Sequence, residues 1–438
     1  MSCISYKQDV PVLDKYDVLV AGSGPSGICA AVAASREGAR TAIIERYGIV
    51  GGNLTSGCVG PIMGQVGPGT MRDELTARLG VRGNDMLGYN GKAHDIEHAK
   101  AELLVFLREA KVDVYLQTPI IDTLMEGRRA YGVLLGTKEG IAAMEADVLI
   151  DATGDGDVAY FAGAAYNTGR EEDGRVQPVT IMYVLGGVDE SCAIKCMGEA
   201  DPVEFRGEPF PAFTQRCCDQ GLFPPNTGAV RLYPTATPGE RLVNCTQVND
   251  IYAPDAKDII RAEEELRDQI WKITDFLRKN VPGYERCFVK HSATTLGVRE
   301  SRRFIGVESV VDADVTEGLR KKNVVVHNAN FLIDIHNPTG SGQAETFDRV
   351  FSNHAYDIPY GALVPQNTEG MLLTGRCISG THRAHASYRI MSICMALGQA
   401  AGIAGAMCAK KKVEPRDLDV QKLQHRLMEN GIVLFDKE

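Results

Sequence analysis

Basic charge is what this chain is short of: 47 Lys and Arg stand against 57 Asp and Glu, a formal net charge of −10. A nucleic-acid backbone or an anionic bilayer needs cationic surface, so neither is expected as the main partner, and any basic site must be local. Metal-ligand spacing is missing too. Twelve cysteines lie at 3, 29, 58, 192, 196, 217, 218, 245, 287, 377, 394 and 408, with no repeated C-x-x-C and no Cys/His pattern at zinc spacing. That excludes an iron–sulfur run and a redox dithiol and leaves buried free thiols in a reducing cytosol as the expectation. The opening "MSCISYKQDVPVLDKY" has neither the basic nor the apolar region of a secretory leader. The most lipid-like stretch, "MALGQAAGIAGAMCA" at 395–409, is mostly Ala and Gly, and it falls short of the roughly 20 apolar residues a bilayer demands. A soluble, cytoplasmic protein with no membrane partner is expected, large enough at 438 residues for two or three domains.

What is present begins at residues 17–46, "DVLVAGSGPSGICAAVAASREGARTAIIER". An apolar strand, a turn through Gly22, Gly24 and Gly27, an Ala-rich helix, a second strand and then Glu45 make a βαβ unit in the order a dinucleotide needs. One glycine allows the sharp turn, the next lets backbone approach a pyrophosphate, and the third lets helix and strand pack closely. Pro25 and Ser26 complete the turn at the helix start, whose free N–H groups attract phosphate. Glu45 follows Gly27 by 18 residues, near the spacing of a carboxylate that takes a ribose hydroxyl. The fingerprint alone is equally compatible with NAD and FAD.

No second G-x-G-x-x-G follows a strand, and the chain does not continue as a run of βα units. Residues 48–64 form a Gly-rich loop, 94–110 a helix, and "GIAAMEADVLIDATGDGD" a strand that delivers Asp151 to Gly154 to the nucleotide crevice. Residues 159–290 change character, with Pro-rich segments, alternating strands and a long helix from 255 to 281 whose buried stripe is read as Ile259, Ile260, Leu266, Ile270, Ile273, Phe276 and Leu277. The chain then returns to strands and Gly-rich turns, a helix over 386–409, and a short helix around 417–429. This organisation predicts a nucleotide-binding domain in two parts, 14–158 and 291–412, an inserted substrate or cap domain at 159–290, and a tail at 413–438. One dinucleotide beside a separate antiparallel domain favours FAD, a cofactor that stays bound.

Glu45-Arg46, Gly51-Gly52-Asn53, "DATGDGD" at 151, "LGVRESRRFIG" at 296–306, "YDIPYGALVP" at 356–365 and "LLTGRCISGTHRAHASYRIMSICMALGQAAG" at 372–402 together resemble the FAD-dependent oxidoreductases. More narrowly, the chain is similar to single-nucleotide-domain flavoproteins related in fold to fumarate reductase flavoprotein subunits and glutathione reductase. The resemblance implies an α/β fold with a discontinuous, Rossmann-like FAD-binding domain and an inserted α+β cap. It places Gly22, Gly24, Gly27 and Glu45 at the ADP half, and Arg46, Gly52, Asn53 and Thr55 along the pyrophosphate and flavin. Asp151, Ala152, Thr153 and Gly154 would edge the adenine side. Gly375-Arg376 stands where many relatives have Gly-Asp, so the acceptor expected for the ribityl chain is missing at that position. No flavin-linking histidine follows Gly52, which implies non-covalent FAD. The helix start near Ala386 would point at the flavin and stabilise the charge it gains on reduction.

Hydride transfer to flavin needs a base when a proton also leaves the substrate. Six of nine histidines lie between 291 and 385. His336 and Asn337, at a strand-to-loop junction in "DIHNPTGSG", and His382 and His385 near the last long helix are the candidates. If "GVRESRRFIG" is a strand, Arg299, Ser301 and Arg303 share one face and can clamp a carboxylate or other polar group, while Glu300 and Arg302 share the other. His382 and His385 lack a third ligand for a metal. The expectation is a flavin-dependent dehydrogenase or oxidase acting on a small polar organic substrate, with a separate electron acceptor or donor and a possible homo-oligomer. The alternatives are a reductase of an activated C=C bond and an electron-transfer subunit of a complex.

Overall fold

The buried run Val18–Ala21 pairs in the parallel sense with two other apolar segments, which the helix or long excursion in each connection allows. The computed structural model describes Ile4 and residues 7–81, 93–196, 203–344 and 354–436. Strand β1 (Val12–Ala21) lies between β2 (Thr41–Ile44) and β6 (Gly140–Asp151); β3 (Asp113–Tyr115) pairs outside β2. β4 (Ile120–Glu126) and β5 (Arg129–Thr137) join antiparallel to the first half of β6, and Met371–Leu373 pairs parallel to its second half.

The register has a functional result. Tyr115, Ile44, Ala21, Asp151 and Leu373 are cross-strand neighbours in one row, so five parallel strands end together. The loops after them emerge side by side, at the position where open α/β sheets bind ligands.

Helix α1 (Pro25–Arg36) covers this sheet together with the helix Met391–Lys411. Their contact explains the Ala and Gly content of the latter: a Cβ on Gly398 would stand 2.0 Å from the Ser26 carbonyl oxygen, and one on Gly402 2.2 Å from that of Ala30. At 21 residues this helix is long and apolar enough to cross a membrane, longer than the 395–409 stretch suggests, but 94% of its most apolar window is buried inside the protein. It is the core helix of the fold. The expected start at 386 is also revised: a separate helix, His382–Tyr388, capped by the Thr381 hydroxyl, is broken from it at Arg389 and extended Ile390.

A second apolar core lies around an antiparallel sheet ordered Arg231–Pro234, Arg241–Asn244, Tyr183–Gly186 and Phe288–Ser292. The helix Ala256–Asn280 packs there, its N-terminus capped by Asp255. Leu266, Ile270, Ile273, Phe276 and Leu277 are buried as expected, but Ile259 and Ile260 are 39% and 55% exposed; they sit in the first turn, ahead of the packed length, where helical phase alone over-extends the stripe. Cys58, Ala93 and Ile96 from the first part of the chain join this core. The short strand Tyr166–Thr168 pairs with Arg302–Phe304, tying the start of the 159–290 block to the segment that follows it.

Candidate functional site

The loops that leave the strand row enclose a cleft of about 1310 Å3 of atom-free space, counting its open mouth. Gly22, Ser23, Gly24, Pro25 and Ser26 form its floor, with Glu45, Arg46 and Tyr47 on one side and Ala152, Thr153, Gly154 and Asp155 on the other. The three glycines differ physically. At φ +89° Gly22 makes the turn, and a Cβ on Gly27 would fall 1.9 Å from the Gly22 carbonyl oxygen, so helix and strand need that hydrogen. A Cβ on Gly24 would meet nothing within 4 Å: it would point into open cleft. No side chain caps α1, which leaves its first-turn N–H groups for an anion. Glu45 is buried, accepts from the Ser23 N–H (3.0 Å), the Ser23 hydroxyl (2.5 Å) and the Tyr47 N–H (3.0 Å), and lines the cleft with its carboxylate already oriented.

Thr118, Pro119 and Ile120 close one end of the cleft; Thr295, Leu296, Val298, Arg389, Met391 and Cys394 form the other, with Gly52, Asn53, Gly375 and Arg376 also contributing to its lining. A lining with a glycine turn, an uncapped helix start and a buried, oriented acid fits a dinucleotide.

The acceptor missing at Arg376 is supplied nearby. Arg376 donates from Nη2 to Asp155 Oδ1 (2.8 Å) and from Nη1 to the Ser301 hydroxyl (3.0 Å), and the Ser301 hydroxyl donates to the same Asp155 oxygen (2.6 Å). The charge of Arg376 holds the Asp155 carboxyl below its usual range against the upward push of burial, so a carboxylate lines the cleft beside the guanidinium.

Thirteen of the expected cofactor residues line the cleft: Gly22, Gly24, Pro25, Ser26, Glu45, Arg46, Gly52, Asn53, Ala152, Thr153, Gly154, Gly375 and Arg376. Gly27, Thr55 and Ala386 do not. Gly27 acts through packing; the Thr55 hydroxyl donates to the Val50 carbonyl (2.6 Å) and braces the Gly-rich loop; Ala386 is fully buried in the helix preceding the one that reaches the cleft. Asp151 also lies behind the lining. Its carboxylate accepts from Thr153 N–H and hydroxyl and from Ala159 N–H, fixing the loop, and complete burial pushes its pKa up to about 6.

None of the six expected catalytic residues, His336, Asn337, His382, His385, Arg299 and Arg303, lines this cleft. They fall into two clusters behind its inner end. "GVRESRRFIG" is not the continuous strand expected, since only Arg302–Phe304 is extended; Arg303 therefore reaches Glu300 instead of sharing a face with Arg299. Glu300 also accepts from the Gln177 N–H (3.0 Å) and faces His382 Nδ1 (2.9 Å), while Arg303 binds the Gly169 and Gly380 carbonyls. That cluster is a joint between loops. His385 packs edge-on against Tyr388 with both ring nitrogens buried and unpartnered, and burial drives its pKa well down.

The second cluster touches the cleft through Arg389, whose Nη2 donates to the carbonyl and carboxylate oxygens of Asp334, both at 2.9 Å. His336 Nε2 stands 3.5 Å from Asp334 Oδ2. Burial and the Arg299 charge lower the His336 pKa to about 4, so its ring is neutral near pH 7. The Asn337 side chain turns inward on its own loop, accepting from Thr339, and its carbonyl accepts from Gln247.

Ser23, Ile44, Tyr47, Thr118 to Ile120, Asp155, Asp157, Thr295, Leu296, Val298, Arg389, Met391 and Cys394 are the lining residues the sequence reading missed. Asp155 had a signal, an acid four residues past the end of a strand in a Gly-rich turn; Leu296 and Val298 had none, being ordinary apolar residues.

A family model described as FAD dependent oxidoreductase matches residues 17–427. Among solved structures the chain is similar to a geranylgeranyl bacteriochlorophyll reductase-like protein from Thermoplasma acidophilum, at 14% identity and a TM-score of 0.50, over 95% of this chain and 84% of that one. It is also similar to the myxobacterial chondrochloren halogenase CndH, described as a variant of FAD-dependent halogenases, at 14% identity and a TM-score of 0.47, over 94% and 78%. A dihydrolipoyl dehydrogenase of Trypanosoma brucei brucei is 40% identical over 55 residues, 12% of each chain; the match spans only that small share of the relative's length.

Proposed function

The chain belongs to the FAD-dependent oxidoreductase family, and on that premise we propose that it transfers a hydride between a small polar organic molecule and its FAD, held without a covalent link. FAD supplies, when bound, a ring atom that accepts or gives two electrons with a proton. The residues of the chain do the rest. Gly24, the start of α1 and Glu45 seat the nucleotide half; Asp155, fixed by Arg376 and Ser301, accepts from a sugar-chain hydroxyl; Leu296, Val298 and Met391 keep water from the inner end.

One observation carries the reading: Arg389 lines the inner end of the cleft and donates to Asp334, which faces His336. With Nε2–H directed at Asp334, the neutral ring keeps the Nδ1 lone pair for a substrate proton. A cytoplasmic setting belongs to the same proposal and is supported by eleven described cysteines that are all free thiols.

Anaerobic screening of hydroxy acids, sugars and unsaturated acids for bleaching of the flavin band tests it. A bleaching substrate is the expected result. If none bleaches the band while dithionite-reduced protein is reoxidised by unsaturated acids, the direction is reduction of a C=C bond; if neither occurs and a stable redox partner co-purifies, the chain is an electron-transfer subunit and the reading fails.

A further inference from the structure

Behind the inner end of the cleft, hydrogen-bond donors outnumber acceptors. Arg299 is 8% exposed and, among the described residues, its guanidinium pairs with no carboxylate; Nη1 donates to the Pro178 carbonyl (2.8 Å). Arg389 spends Nη2 on Asp334 and leaves Nε buried without a partner. Gln177, fully buried, uses Oε1 to accept the His336 N–H (3.2 Å) and leaves Nε2 unpartnered. The Asp334 carboxylate beside them is already engaged, taking Arg389, Gln343 Nε2 (2.7 Å) and the approach of His336, and Glu300, which accepts the Gln177 N–H, is held by Arg303. Among the described residues the guanidiniums of Arg299, Arg389 and Arg231 act on this cluster beside the Asp334 carboxylate, and burial with repulsion from Arg389 lowers the Arg299 pKa to about 9. A buried charge without a counterion and buried donors without acceptors are each costly. Three segments far apart in sequence bring these groups together, so the excess is a property of the folded site.

We infer that this cluster is an anion-binding site, and that the substrate carries a single carboxylate seated on Arg299, with Gln177 and Arg389 donating beside it. A carboxylate is the fitting group, because its two oxygens can accept from a guanidinium and from a neighbouring amide donor together. Arg299 does not itself line the cleft; its place suits the tail of a molecule whose reacting carbon lies at the inner end, more than it suits the cofactor ring. This rests on the hydride-transfer reading above and gives it a substrate class.

The test uses FAD-loaded protein with acetate as probe and acetamide as its neutral isostere, each followed by broadening of its methyl proton resonance at fixed ionic strength. Acetate is expected to bind saturably and acetamide not at all. Arg299→Met should weaken acetate about 30-fold or more, as loss of a charge-assisted pair does, with FAD content and dithionite bleaching retained. Equal acetate affinity in wild type and Arg299→Met, no acetate binding to FAD-loaded wild type, or tighter binding of inorganic phosphate overturns the assignment. An Arg299→Met protein with unchanged acetate affinity but a lowered flavin potential shows that the charge serves the cofactor, and overturns it too. Should Arg299→Met fail to fold, Gln177→Leu is expected to weaken acetate about fivefold, and an unchanged value counts against the site. The bleaching screen on the same FAD-loaded protein separates the two readings: acetate binding without any substrate that bleaches the flavin retains the anion site and rejects hydride transfer.

Discussion

The two ends of the cleft are built in different ways. The nucleotide end is made by backbone: strand ends in one row, a turn through Gly22 and Gly24, and an uncapped helix start. Its acid, Glu45, is oriented by three hydrogen bonds from two neighbours, Ser23 and Tyr47. The inner end is made by side chains from segments near 177, 299, 334 and 389, and its buried donors are guanidinium and amide groups in place of N–H groups of the main chain. A backbone site depends on what is absent from a residue; a side-chain site depends on what distant residues bring.

The sharpest way to break that contrast is to put an atom where the backbone site has none. Gly27→Ala places a Cβ 1.9 Å from the Gly22 carbonyl oxygen, so strand and helix must separate; a loss of more than about 4 kcal/mol and of all FAD is expected, read by thermal melting and bound flavin absorbance. Survival with full FAD content would show that the close packing is dispensable.

Acid sensitivity separates the ends next. His336 has a native pKa lowered from 6.5 to about 4, so between those values the unfolded chain binds the extra proton and stability falls as pH falls. Its contribution is complete above pH 6.5 and declines by up to about 3 kcal/mol by pH 4. Asp151 acts oppositely: its native pKa is raised from 3.8 to about 6, so its contribution is largest below 3.8 and is lost as pH rises to 6. Subtracting urea-unfolding curves of His336→Gln from wild type isolates the first; a difference that does not change with pH between 4 and 6.5 would contradict the neutral buried ring.

The same His336→Gln variant should slow flavin reduction by a bleaching substrate about 10²-fold at unchanged FAD content. A loss of FAD instead would move His336 to the cofactor side of the comparison. Smallest in stability is Gly24→Ala, whose Cβ meets no protein atom: melting within about 0.5 kcal/mol of wild type is expected, with FAD affinity reduced about tenfold, measured by equilibrium titration.

Legibility follows the same division. The fingerprint Gly22 to Gly27, Glu45, the strand β6 and the parallel sheet could be read from the sequence because turn, helix and strand signals there are local. Leu296, Val298 and Met391 could not, since nothing local marks an apolar residue as facing a ligand. The reading of Arg299 and Arg303 as one face failed for a related reason: alternation assumes a strand, and the Glu300–Arg303 pair bends the chain out of it. His336 was legible as a polar residue of interest, but the strand expected to end at it is absent, the preceding strand stopping at Ala329, and its neutrality comes from burial and from Arg299, which only the fold brings beside it. Asp155 shows the intermediate case: the unusual Arg376 was visible, and the carboxylate that it holds lay 221 residues away.

The most direct test of the cleft as one FAD site is a crystal structure of the FAD-loaded protein. The result expected has the adenosine ribose within hydrogen-bond reach of Glu45, the pyrophosphate over Gly24 and the start of α1, and the flavin ring in contact with Leu296, Val298 and Met391. A ring lying at Thr118 to Ile120, or anywhere remote from Arg389, would contradict it.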